Sequence, residues 1–198
     1  MALICPPDSL NPERISLTPP FVHNYLIHHP NFTLWDIPND QVLKISIAMT
    51  LTQAYLQTWT EARTRFTNLL KDIKEEDLKK KLTGTKNSAG FLLRHIGDVE
   101  LLFAKNVFGG LDVSVHAKTV IAQQDTGEWT NLAELMEYQQ YAFNHLKAIF
   151  EKQTDVDWAT TITTKEFGTK TKAEAIGRII SHTAYHAGQL SITLKYGV

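Results

Sequence analysis

Proline is confined to the start of this 198-residue chain. All seven prolines lie between Pro6 and Pro38, and residues 39–198 contain none. Proline fixes the backbone φ angle and has no amide hydrogen, so helix interiors exclude it. The proline-free part therefore permits long helices, whereas residues 1–40 are predicted to form an irregular extension. Aromatic side chains such as Phe21 predict that this extension packs on the rest of the chain or on a second subunit.

Four stretches after residue 40 repeat apolar residues at spacings of three and four, which is the period of an amphipathic helix. Capping signals mark two of their starts: Ser88 precedes the second stretch, and Thr171 with Glu174 has the form of a capping box at the fourth. The predicted helices run from about 41 to 74, from Ser88 to just before Gly109, from about Asn131 to Phe150, and from Thr171 to Leu194.

Four amphipathic helices of this length bury their apolar faces only against each other. The fold class is therefore predicted to be all-α, a four-helix bundle over residues 41–198 with long connections. The last connection, about residues 154–170, is rich in β-branched residues and is predicted to hold a short hairpin. A length of 198 residues fits one such domain with an appendage.

The charge balance argues against two classes of partner. Lys and Arg number 20 against 21 Asp and Glu, so no positive field is available to hold a nucleic acid or an anionic bilayer. No segment approaches the roughly 18 unbroken apolar residues of a membrane helix. Cys5 is the one cysteine, and the first residues lack the pattern of a secretory signal. We expect a cytoplasmic protein with no nucleic-acid or membrane partner.

The histidines carry the chemical signal. His182 and His186 are four residues apart, so about 40° of helix rotation separates them and both can reach one ion. Taken alone, this spacing also fits surface or interfacial histidines. Here the pair lies beside the apolar stripe of Ile180 and Leu190, which favours the bundle interior. His95, on the apolar side of the second helix, is the best candidate for a third ligand, although a lone core histidine satisfied by hydrogen bonds is the alternative.

Two segments resemble a known family, the DinB-like superfamily of four-helix-bundle metalloproteins. They are residues 87–100, NSAGFLLRHIGDVE, and residues 182–190, HTAYHAGQL. The resemblance covers about residues 41–198 and implies an up-down bundle in which a divalent metal ion is bound by His95, His182 and His186, with positions left open for water or substrate. Family members include thiol-S-transferases that use bacillithiol or mycothiol and maleylpyruvate isomerases that use mycothiol.

The resemblance and the ligand types favour a metal-dependent enzyme with zinc or nickel at three histidines. Its sharpest form is transfer of a low-molecular-weight thiol to an electrophile, with a small-molecule substrate and a small thiol as cosubstrate. Three alternatives stay open: a hydrolase that uses metal-bound hydroxide, a non-catalytic dimeric bundle that binds a metal or a thiol, and a structural bundle without metal. A homodimer is expected.

Two residues near the inferred metal are candidates for catalytic roles. Gln189 projects from nearly the same line as the two histidines of the fourth helix, so it could bond a metal-bound water or ligand, or simply end the cavity. Arg178 lies one turn before His182 and could meet a carboxylate of the thiol or substrate. A surface pair between Arg178 and Glu174 is the alternative.

Three further polar residues have weaker predictions. Asp98, three residues after His95, is a candidate to orient an imidazole. Glu100 is turned some 140° from His95 on an ideal helix and is predicted to pair with a neighbouring helix. Tyr185 is a possible proton donor, but a core aromatic is the favoured interpretation.

Overall fold

The structure is a computed structural model that describes residues 49–165 and 168–198. The predicted N-terminal extension, the predicted start of the first helix at about residue 41, and Cys5 lie outside the described residues. Met49–Val198 forms one compact unit. In chain order its helices are α1 (Leu51–Leu70), α2 (Ala89–Asn106), α3 (Lys118–Ala122), α4 (Leu132–Glu151), α5 (Asp155–Ala159) and α6 (Lys172–Tyr196).

Helices α1, α2, α4 and α6 are the long ones and correspond to the four predicted helices, so the all-α bundle is confirmed. Both predicted caps are present: Ser88 accepts from the amide of Phe91, and Thr171 forms a capping box with Glu174. The predicted end of the first helix, at about residue 74, is wrong. Its box at Thr50 starts the helix at Leu51, and the helix ends at Leu70 before a turn and a short 3-10 helix (Glu75–Lys79).

The four long helices pack in a square. Helices α1 and α2 each pack against both α4 and α6, so α1 and α2 occupy opposite corners. Their apolar faces form two clusters, one around Trp59, Phe150 and Trp158 and the other around Phe66 and Leu190. Burial of this apolar surface is the main stabilising term of such a bundle.

Between the two apolar clusters lies a group of four buried polar residues, one from each long helix. We call it the polar layer; its members are Arg63, Glu100, Gln139 and Thr183. Close approach of α4 to α2 at this level depends on Gly97. A Cβ added there would lie 2.8 Å from Nε2 of Gln139, closer than real Cβ contacts. Because Gly97 has no side chain, the side chains of α4 can contact α2 at this level.

The connections carry the smaller elements. Helix α3 lies in the connection between α2 and α4 and packs on α2. After α5 come strands β1 (Thr161–Thr164) and β2 (Gly168–Thr171), which pair antiparallel, so the predicted hairpin is confirmed. Within residues 49–165 and 168–198, no helix is long and apolar enough to cross a membrane.

Candidate metal centre

Three histidine side chains meet between α2 and α6. Nε2 of His95 lies 3.2 Å from Nε2 of His182. The ring centroid of His186 lies 4.7 Å from that of His95 and 4.4 Å from that of His182. One nitrogen from each ring lies within 4.8 Å of the other two. The structure thus brings together the three histidines that the sequence singled out.

Local structure explains why these rings converge. Ser88 caps α2 and fixes its first turn, in which Phe91 stacks on the His95 ring at 5.6 Å between centroids. On α6, His182 and His186 are one turn apart, so both face α2. All three rings are half-buried at the edge of the bundle.

The second nitrogen of each ring has a different environment. Nδ1 of His95 lies 3.1 Å from Oγ1 of Thr119, and Nδ1 of His186 lies 2.7 Å from Oε1 of Gln189. Nδ1 of His182 is buried and has no hydrogen-bond partner among the described residues. Two of the imidazoles therefore have a polar partner at Nδ1, and the third, His182, has none at that atom.

Burial keeps the three rings neutral. Desolvation lowers the pKa of His95 to about 4, with the nearby His186 adding to the shift and Asp98 opposing it. Desolvation lowers the pKa of His182 to about 3, helped by the charges of His186, His95 and Arg178. Burial also lowers the pKa of His186, against its hydrogen bond with Gln189. Neutral imidazole is the form that binds a metal ion, because its lone pair is free.

The geometry fits a divalent metal ion. Two nitrogens that each lie 2.0–2.1 Å from a tetrahedral ion are about 3.4 Å apart, close to the spacing of the Nε2 atoms of His95 and His182. Without an ion, these two facing nitrogens share at most one hydrogen, and the orphaned Nδ1 of His182 adds a further cost. The three-histidine group could therefore hold a divalent metal ion.

Asp98 supports the site through another residue. The carboxylate is fully buried and accepts from the backbone amide of Thr119 at 3.0 Å and from its hydroxyl at 2.7 Å. It also accepts from Nε of Arg94 at 2.9 Å and from the hydroxyl of Tyr138 at 2.6 Å. The sequence pointed to Asp98 but missed Thr119, which lies between Asp98 and His95.

Gln189 and Arg178, the two predicted catalytic residues, lie in different surroundings. Gln189 contacts the histidine centre directly, through Nδ1 of His186. Arg178 lies on the exposed side of α6, where its charge acts on His182. Glu174 accepts from Thr171 in the capping box and pairs with Lys170 at 3.8 Å.

The prediction for Tyr185 was wrong, and the one for Glu100 was right. Tyr185 is 64% exposed, because its position on α6 turns it out of the bundle, and its ring meets the edge of His186 at 5.0 Å. Glu100 pairs with Arg63 of α1, with Nε of Arg63 at 2.9 Å from Oε1 of Glu100.

The fold and the site together agree with the comparison to known families. Residues 58–190 match the DinB superfamily, which is more than half of the chain. This chain belongs to the DinB superfamily. A solved structure of a conserved protein from Enterococcus faecalis is 17% identical, with a TM-score of 0.53, over 75% of this chain and 98% of that chain. At that identity the likeness shows the fold alone. No curated protein matches the chain.

In this DinB superfamily protein the histidine centre opens into a cavity of about 610 Å³. His95 and His182 line one side, and the rest combines an apolar floor that includes Leu102 and Phe103 with Arg178 at the rim. A second cavity of about 600 Å³, beside the hairpin, shares Phe103 and Arg178 with the first. Only the first of the two cavities is lined by histidines of the centre, so it is the one in which a small molecule could contact the imidazoles.

Proposed function

We propose that this protein is a metal-dependent enzyme that transfers a low-molecular-weight thiol to an electrophilic substrate. The ion is held by His95, His182 and His186, and its identity is zinc or nickel, since three neutral imidazoles suit both metals. One observation carries the proposal: three neutral imidazoles converge, and two of them, His95 and His182, line a cavity large enough for a small molecule. Ligand sites of this size typically combine apolar walls with a few polar groups.

When bound, a divalent ion at three neutral imidazoles supplies positive charge and an open position at which a thiol binds as its thiolate. The chain provides the surroundings. Leu102 and Phe103 keep water from the apolar part of the cavity, which strengthens electrostatic interactions there. Arg178 at the rim attracts an anionic group of the thiol or the substrate and so orients it.

Gln189 acts on the ligand set rather than on the substrate. Its Oε1 lies 2.7 Å from Nδ1 of His186, where it accepts a hydrogen and leaves Nε2 of that ring for the ion. This differs from the predicted contact with metal-bound water. We retain Gln189 and Arg178 as the candidate functional residues beside the three histidines.

The first test is the metal content of the purified protein. We expect near one divalent ion per chain, and we expect His95→Ala, His182→Ala or His186→Ala to lose it, because a site with three protein ligands tolerates no loss. His145→Ala is the matched control. That histidine lies on α4, where its Nδ1 is 2.8 Å from the carbonyl of Tyr141, and it is not a member of the three-histidine group. Its variant should keep the ion.

The second test is chemical. The cobalt-loaded protein, titrated with a small thiol, should gain a sulfur-to-cobalt charge-transfer band and should consume monochlorobimane faster than His186→Ala does. Arg178→Ala should weaken binding of thiols that carry a carboxylate more than binding of neutral thiols. The predicted homodimer stays a prediction, which the molecular mass in solution tests.

Three outcomes would contradict the transferase. If no thiol alters the cobalt spectrum while esters or amides turn over, the protein is a hydrolase. If the protein binds the ion but turns over neither kind of substrate, it is a non-catalytic binding protein. If the wild type binds no divalent ion, the histidine centre has another role.

A further inference from the structure

We propose that Thr119 is a positioning residue that fixes the tautomer of His95. Its hydroxyl holds the imidazole proton on Nδ1 and thereby keeps the lone pair on Nε2, which faces His182. Because the unprotonated Nε2 acts as a ligand only when the site holds a metal ion, this role of Thr119 rests on the proposed function.

The hydrogens can be assigned from the partners. A threonine hydroxyl has one hydrogen, and Oγ1 of Thr119 lies 2.7 Å from Oδ2 of Asp98, a carboxylate that only accepts. That hydrogen is therefore given to Asp98. The same Oγ1 lies 3.1 Å from Nδ1 of His95, so it must accept there, and Nδ1 must carry the hydrogen. Nε2 of His95 is left unprotonated.

Asp98 is held so that it acts as the acceptor. Nε of Arg94 lies 2.9 Å from Oδ1, and the guanidinium sits over the ring of Tyr138 at 3.5 Å. Burial and Asp98 itself raise the pKa of Tyr138, so its hydroxyl keeps its hydrogen and donates to Oδ1. The backbone amide of Thr119 also donates to Oδ2. Four donors on one buried carboxylate leave it no hydrogen to give.

The arrangement also places Thr119 rigidly. Its side chain is fully buried, and it holds Asp98 through both its amide and its hydroxyl. Helix α3 contains five residues, and this pair of contacts ties it to α2. The connection that carries α3 therefore has a function in the site: it brings the acceptor for Nδ1 behind His95.

The test compares Thr119→Val, which keeps the shape but removes the hydroxyl, with Thr119→Ser, which keeps the hydroxyl. Thr193→Val is the matched control, because Thr193 is 2% exposed and its hydroxyl donates to the carbonyl of Gln189 on its own helix. The first readout is ¹⁵N NMR of the imidazoles in metal-free protein, which reports which nitrogen carries the hydrogen. The second is zinc affinity, measured by competition with a chelating dye.

We expect His95 to be protonated on Nδ1 in the wild type, in Thr119→Ser and in Thr193→Val. In Thr119→Val the ring should populate the other tautomer, and zinc affinity should fall by about 10- to 100-fold, as is typical when the partner of a ligating histidine is lost. Thr119→Ser should restore most of the affinity, which a general packing defect at this position would not allow.

Two results would overturn the role of Thr119. One is a wild-type His95 that carries its hydrogen on Nε2, a result that needs no variant to fold. The other is a folded Thr119→Val with unchanged tautomer and unchanged zinc affinity. Failure of the proposed function looks different: the wild type then binds no zinc, while the NMR spectrum still reports the tautomer.

Discussion

The bundle contains two polar clusters, the polar layer and the histidine centre, and side chains of the long helices form both. They differ in whether their hydrogen-bonding groups are paired. In the polar layer the charges are matched. Nε and Nη2 of Arg63 donate to the two carboxylate oxygens of Glu100 at 2.9 and 3.0 Å, and Nη2 also reaches Gln139 at 3.2 Å. Phe66 and Phe143 lie against the guanidinium at 5.0 and 5.1 Å. The guanidinium of Arg63 thus has its hydrogen-bond partners within the protein.

In the histidine centre, by contrast, the hydrogen-bonding capacity of the ring nitrogens is not fully satisfied. The Nε2 atoms of His95 and His182 face each other, and within the described part of the chain Nδ1 of His182 meets no acceptor or donor. Buried polar atoms are normally paired, so an unpaired group needs a reason. The polar layer is thus a closed network that stabilises the fold, whereas the histidine centre is an open one that a bound metal ion could complete.

At neutral pH, breaking the closed cluster should have the largest effect. Glu100→Gln leaves the guanidinium of Arg63 buried without its counter-charge, which typically costs about 3–5 kcal/mol. We expect that loss in the free energy of unfolding, measured with urea. Glu151→Gln is the control, since the pair of Lys147 and Glu151 is exposed at 3.6 Å and such pairs contribute less than about 1 kcal/mol.

A double variant sharpens this result. Arg63→Met with Glu100→Leu removes both charges, and such apolar replacements of buried pairs are often nearly neutral. The double variant should be more stable than Glu100→Gln alone. Equal destabilisation in Glu100→Gln and Glu151→Gln would show that the polar layer does not depend on charge pairing.

Filling the open cluster should have the second largest effect. Zinc at about 100 times its dissociation constant should stabilise the wild type by about 2.7 kcal/mol, because it binds the folded chain. For a chain of this size that corresponds to a rise in Tm of roughly 5 to 10 °C. The same zinc should leave the Tm of His186→Ala unchanged, while His145→Ala should respond like the wild type. A zinc-induced shift of equal size in His186→Ala would place the ion elsewhere.

The sequence was sufficient to predict the elements that show a periodic pattern of residues. Periodic apolar residues predicted the four long helices, and the spacing of His182 and His186 predicted that they share a face. His95 followed from its place on an apolar face and from the resemblance. Sequence reasoning predicted a partner on a neighbouring helix for Glu100 but did not identify Arg63, which lies between Trp59 and Phe66 on the buried face of α1. A charge on an apolar stripe needs a buried partner.

What the sequence could not supply depends on tertiary contacts. Helix α3 has five residues, too few to show a period, and its Thr119 looks like any other threonine until the connection folds back on α2. The exposure of Tyr185 was missed for a related reason. Its place beside His186 on α6 says little about which side of the helix the neighbouring elements cover.

Acid should destabilise the metal-free protein through the open cluster. The folded pKa of His95 is lowered to about 4 and that of His182 to about 3, whereas an unfolded histidine titrates near 6.5. Below about pH 6.5 the unfolded chain therefore binds more protons than the folded chain, so stability is full above that pH and falls as the pH drops toward 4. Urea unfolding in the presence of a chelator measures the slope.

A matched variant separates these histidines from other acid effects. His95→Gln with His182→Gln should flatten the slope between pH 6.5 and 4, and His145→Gln should leave it unchanged, since His145 lies outside the centre. An unchanged slope in the double variant would mean that the two rings are protonated in the folded chain as readily as in the unfolded one.

The smallest effect should have the opposite sign to that of Glu100→Gln. His182→Leu replaces a ring whose Nδ1 lacks a partner in the described structure with an apolar side chain of similar size. An unsatisfied buried polar atom costs about 1–3 kcal/mol, and part of that is regained when an apolar group takes its place. We expect the metal-free variant to match the wild type or exceed it by about 1 kcal/mol in urea unfolding.

The same variant should lose the zinc-induced rise in Tm, so that binding and stability separate in one protein. His145→Leu provides the comparison, because it removes a satisfied contact with the carbonyl of Tyr141 and should cost about 1 kcal/mol. A loss above about 2 kcal/mol in metal-free His182→Leu would reverse the contrast. The imidazole of His182 would then stabilise the fold as Glu100 does, and the histidine centre would be a closed cluster rather than an open one.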